Sequence, residues 1–138
     1  MTPDHFEATF RLQVDRQTAW RRLVDDLEPP EVDATGWLPG FDAAITVVDI
    51  TIDHELHATK NDEPCAGTDI VVTLEDDDTG TRVHVVQSRF GDWLPSRYDM
   101  MAIGWRFIVA DLESYLASGV KPALPFSSRG PEDFVPPA

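Results

Sequence analysis

His54 and His57, flanked by Asp53 and Glu55, are the residues whose types and spacing come nearest to a metal site. On a strand, however, residues three apart point to opposite faces, so only one of the two histidines can enter a given site. Zinc needs three or four converging ligands, and Cys65 falls in a turn, Glu63-Pro64-Cys65-Ala66-Gly67. The acidic run Asp76-Asp77-Asp78-Thr79-Gly80 has the composition of a calcium loop. Its glycine comes one position early, though, and Gln87 stands where the closing glutamate belongs, so it reads as a plain hairpin turn. Gly-x-Ser-x-Gly and reactive-cysteine signatures are absent, as are phosphate-cradling glycine loops. These absences argue against the common hydrolase, kinase and dehydrogenase classes, and no metal or cofactor is expected.

The elements that must position any working residue are easier to read. His5 to Val14 alternates as a strand, with Phe6, Ala8, Phe10, Leu12 and Val14 on one face. Asp15 then caps a short helix with an apolar stripe of Ala19, Trp20, Leu23, Val24 and Leu27, which Pro29-Pro30 is expected to end. Residues 30–44 read as an irregular link, and strands are expected at about 45–51, 55–61, 67–75 and 81–90. A long helix follows, with Ser96 and Asp99 forming a capping-box pattern and apolar residues Met101, Trp105, Ile108, Val109, Leu112 and Leu116 at helical spacing. Gly119 supplies its left-handed stop, and Pro122 bars continuation.

The 138 residues suit one domain, taken as 1–119, with 120–138 as an extension that holds five prolines (Pro122, Pro125, Pro131, Pro136 and Pro137). Asp and Glu number 25 against 11 Lys and Arg, a net charge of −14. Such a field repels phosphate backbones and anionic lipid, which argues against nucleic-acid and membrane partners. The acidity reads as a solvated surface rather than a docking face. The single cysteine suits a reducing compartment, and Met1-Thr2-Pro3-Asp4-His5 lacks the character of a signal peptide, so a cytoplasmic protein is expected.

Three motifs carry a family resemblance: Leu12-Gln13-Val14-Asp15-Arg16-Gln17-Thr18-Ala19-Trp20-Arg21-Arg22-Leu23, then Gly80-Thr81-Arg82-Val83-His84-Val85, then Gly104-Trp105 with Leu112-Glu113-Ser114-Tyr115-Leu116. Over about residues 5–119 the chain resembles the START/Bet v 1-like (SRPBCC) superfamily, and within it the group named after the activator of Hsp90 ATPase. The resemblance implies an α+β helix-grip fold: a curved antiparallel β-sheet wrapped around a long C-terminal α-helix, with a short N-terminal helix region. It also implies a hydrophobic cavity between sheet and helix. Resemblance and alternation together suggest Trp37 and Phe41 at its mouth, His57, Gln87 and Arg89 on the sheet, and Tyr98, Met101 and Trp105 on the helix. For the aromatics and Met101, ordinary core packing competes with ligand contact, and Trp105 reads as core because the helix has to be anchored. Arg89 either reaches solvent at a strand end or turns inward to fix an anionic or carbonyl group. The expected function is binding of a small, largely apolar molecule. A polyketide cyclase or dehydratase using His57, Arg89 or Tyr98, and a protein-interaction role of the Hsp90-partner kind, are the alternatives. A homodimer through the proline-rich arm or an exposed sheet edge is a further expectation.

Overall fold

Strand β1 (His5–Leu12) turns Phe6, Ala8, Phe10 and Leu12 toward the interior and leaves His5, Glu7, Thr9 and Arg11 in solvent, as its alternation requires. The computed structural model describes residues 5–27, 30–39, 41, 43–61, 66–89 and 95–120, with the side chains of 95–101 not among them. The other elements are α1 (Arg16–Leu23), β2 (Thr35–Leu38), β3 (Ala43–Thr51), β4 (Glu55–Lys60), β5 (Asp69–Asp77), β6 (Gly80–Ser88) and α2 (Pro95–Ser118). All six strands join one antiparallel, curved sheet in the order β1-β6-β5-β4-β3-β2, so β1 and β2 are its edges.

The sheet's inner face is apolar from edge to edge: Leu12, Val83 and Val85, Ile70, Val72 and Leu74, Leu56 and Ala58, Ile45 and Val47, and Leu38 are all buried. Each large aliphatic side chain buried this way is stabilised by about 1.5–3 kcal/mol relative to exposure. Helix α2 answers with Trp105, Ile108, Leu112 and Leu116, and α1 with Ala19, Trp20 and Leu23. The result is the expected α+β helix-grip arrangement, with α2 lying along β1 and against α1. Among the described residues no helix is long and apolar enough to cross a membrane.

Two elements depart from the sequence reading, and one contact links them. The link over 30–44 contains the short strand β2, and α1 stops at Leu23 rather than at Pro29-Pro30. Residues 24–27 turn instead, with the Leu27 N–H donating to the Val24 carbonyl at 2.9 Å, so that Val24 and Leu27 remain buried. β2 passes directly over this turn. A Cβ at Gly36 would stand 2.6 Å from the Asp26 carbonyl oxygen, and the Trp37 N–H donates to the Asp26 carboxylate at 2.9 Å. A continuing helix would occupy the space β2 needs.

Both helices carry the expected terminal signals where they are described. Asp15 caps α1, accepting from the Thr18 N–H at 3.3 Å, and its hydrogen bond with the Thr18 hydroxyl holds its carboxyl below the ordinary value of 3.8. A lowered carboxyl contributes stability above the unfolded pKa and loses it as pH falls through the folded value. Asp15→Ala should therefore lower the melting temperature at pH 7, and the gap from wild type should close below about pH 4. A gap that stayed constant from pH 7 to pH 3 would show that the charge of the cap is irrelevant. At the end of α2, Gly119 adopts φ 75° and its N–H donates to the Tyr115 carbonyl at 2.7 Å. Arg22 donates to the Leu116 carbonyl at 2.7 Å, tying α1 to the last turn of α2. The Ser96–Asp99 capping pattern, Cys65 and the extension from 121 onward lie outside the described residues and side chains.

Candidate functional site

Trp105 is where α2 meets the sheet's inner face. Phe6 of β1 stacks on its indole at a centroid distance of 5.5 Å and an angle of 26°, and Phe41 packs against it edge-on at 6.5 Å and 71°. An indole N–H can only donate. It does so to Gln87 Oε1 at 3.0 Å, and the Gln87 amide nitrogen then donates to Thr68 Oγ1 at 2.9 Å. All three side chains are buried, so this relay satisfies polar groups that would otherwise be costly to enclose. It also fixes the indole plane, and with it one wall of a cleft.

That cleft has a volume of about 690 Å³ and runs between β1, an edge of the sheet, and α2. Phe6, Ala8, Trp105 and Val109 give it an apolar lining, and Glu7, Arg106, Glu113 and Ser114 are the polar residues around it. Ala102 and Ala110 keep the α2 side open. The spacing of 102, 106, 109–110 and 113 along α2 follows the helical repeat, so these residues share one face.

The structure brings together part of the residue set suggested by the sequence. Phe41, Gln87 and Trp105 meet on the inner face. His57 does not join them. Leu56 and Ala58 are buried, so alternation places His57 on the outer face, where its Nε2 lies 3.8 Å from Asp69 Oδ2. Arg89 is on that outer side too: a φ of 68° breaks the alternation after Gln87, and the side chain, 73% exposed, donates through its guanidinium to Asp69 Oδ2 at 3.2 Å. Of the two readings for Arg89, solvent is the one observed. Trp37 is 42% exposed on β2, beside the buried Leu38, and does not share a wall with Phe41. The side chains of Tyr98 and Met101 lie outside those described. Phe6, Ala8, Thr68, Ala102 and Arg106 were absent from the candidate set. The strict alternation of β1 carried the signal for Phe6 and Ala8, but only the sheet order puts that strand beside α2.

Compared with solved structures, the chain aligns with CalU16 from Micromonospora echinospora at a TM-score of 0.66 and 15% identity, over 96% of this chain and 76% of that one. The Aha1 dimer from Colwellia psychrerythraea aligns at 0.61 and 13%, over 83% and 97%. The chain shares the α+β helix-grip fold of these proteins. DynU16, from the dynemicin biosynthetic locus, aligns at a TM-score of 0.64 and 18% identity over 85% of this chain, which spans 48% of that protein. No family model matches the chain, and no curated protein does. At these identities the likeness extends to the fold and not to its chemistry.

Proposed function

We propose that the protein binds a small, largely apolar molecule between the sheet and the C-terminal helix, in the cleft bounded by β1 and α2. The observation that carries this reading is the cleft itself: a volume within the ordinary range for ligand sites, an apolar lining that includes a rigidly held tryptophan, and a few polar groups around it. The reading takes 1–119 as the binding domain, 120–138 as an extension, and the cytoplasm as its location. It favours binding over catalysis because general acid–base work needs two titratable groups within reach of one substrate atom. Among the described residues, the inner face of the sheet buries one titratable side chain, Lys60, its Gln87 and Thr68 are already engaged with each other and with Trp105, and the titratable groups that border the cleft, Glu7, Arg106 and Glu113, are exposed to water. A homodimer belongs to the same proposal, supported by the dimer described for the Colwellia Aha1 protein.

Native mass spectrometry of freshly purified protein, with denatured protein as control, tests this directly. The expected result is a copurifying small molecule that is lost on denaturation. In parallel, the fluorophore 8-anilino-1-naphthalenesulfonate should brighten on binding the wild type, and Ala102→Phe, which fills the α2 side of the cleft, should remove most of that signal while leaving the melting temperature unchanged. A clean apo mass together with equal fluorescence from wild type and A102F would overturn the proposal.

A further inference from the structure

Two charges on the outward side of α2 are placed in a self-complementary way. Arg106 and Glu113 are both exposed, both border the cleft, and neither has an ion-pair partner among the described residues. They are seven residues apart, two helical turns, so they sit on one face about 10.5 Å apart along the axis. Their midpoint falls between Val109 and Ala110. If a second α2 runs antiparallel across this face, related by a twofold axis through that midpoint, each Arg106 comes opposite Glu113 of the partner subunit. Two equivalent ion pairs form at once, as an isologous interface demands.

The residues around these charges permit the approach. Ala110 and Ala117 are exposed and Ala102 is partly so, and the twofold axis sets Ala102 against Ala117 of the partner subunit and Val109 against Ala110 of the partner subunit. Ile103, 65% exposed on the same side of the helix, would lose water contact. Long-range repulsion opposes association, since each chain carries a net −14. That repulsion is screened beyond about 8 Å at physiological ionic strength, whereas the Arg–Glu pairs act at contact distance. We infer that the exposed face of α2 is a docking surface for a second copy of this chain, with Arg106 and Glu113 setting its antiparallel register. The contact would cover the open side of the cleft. It rests on the homodimer proposed above, whose surface it names from the charge pattern, and not on the ligand reading.

Charge reversal with a mixing control tests it. Sedimentation equilibrium should find the wild type dimeric at high micromolar concentration. Arg106→Glu places glutamates against glutamates, and Glu113→Arg places arginines against arginines, so each should weaken the dimer by at least about tenfold. The double variant R106E/E113R should restore it. Mixing the two single variants should yield a heterodimer, because every opposed pair is then of opposite sign, and a misfolded chain could not reproduce that recovery. A wild type that stays monomeric, or a dimer unaffected by the reversals, would overturn the inference. Loss of fluorophore binding alone would bear on the ligand reading and leave the sedimentation result standing.

Discussion

Trp105→Ala is expected to cost about 3–5 kcal/mol of folding stability, the range for removing a large aromatic from a packed core. Natural domains are stable by only about 5–15 kcal/mol, so the variant should be marginal at room temperature. The loss has two separable parts. Phe6 and Phe41 lose the ring they pack on, and Gln87 Oε1 loses its donor inside the core. Trp105→Phe isolates the second part: it keeps most of the apolar surface and leaves the Gln87 acceptor unmatched, at about 1–3 kcal/mol. In the W105F background, Gln87→Leu should cost less than it does in the wild type, because the hydrogen bond it would break is already gone. Urea denaturation of the four proteins closes this cycle. If W105F were as stable as wild type, the indole–amide bond would contribute nothing, and the cleft wall would be held by packing alone.

Much of the fold was legible in local patterns because local physics decides it. The alternation of β1, the Asp15 cap and the Gly119 stop each appear in the structure where the sequence puts them. β2 was not legible. Thr35-Gly36-Trp37-Leu38 is too short to show a period, and its strand state comes from pairing with 43–46 of β3, a tertiary effect that overrides local preference. The end of α1 was hidden for the same reason, since it is set by the closeness of Gly36 to Asp26 and not by the prolines.

The site was legible residue by residue but not as an arrangement. Trp105 and Gln87 stand out as candidates in the sequence, yet their hydrogen bond depends on how α2 seats over β6. His57 shows the opposite case: alternation with Leu56 and Ala58 already assigns it to the outer face, once those two are recognised as core. The cleft depends on β1 being an edge strand beside α2, a fact of sheet order that no local period records.

Gly80→Ala should be the most damaging glycine-to-alanine change among the four glycines whose surroundings are described, Gly36, Gly67, Gly80 and Gly119. A Cβ at this position would lie 2.0 Å from the Leu12 carbonyl oxygen and 3.2 Å from its carbon. The obstacle is backbone, so no side-chain rotation relieves it. Leu12 pairs with Thr81 at the end of the β1–β6 ladder, and the Thr81 hydroxyl donates to the Val14 carbonyl at 2.8 Å. Relief therefore requires β1 to part from β6 where the chain turns into α1. Overpacking of this kind costs about 1–3 kcal/mol, and an immovable carbonyl puts the expected loss at the upper end. Gly67 is the control. It adopts φ 88°, and among the described residues nothing lies within 4 Å of the place a Cβ would take, so Gly67→Ala meets only left-handed strain, about 1–2 kcal/mol. Chemical denaturation should thus rank G80A below G67A. Because β1 forms one wall of the cleft, G80A should also reduce fluorophore binding in the fraction that remains folded, while G67A should not. Equal stability of G80A and wild type would mean that β1 and β6 are not in close contact at Leu12, and the register that carries Phe6 to Trp105 would fall with it.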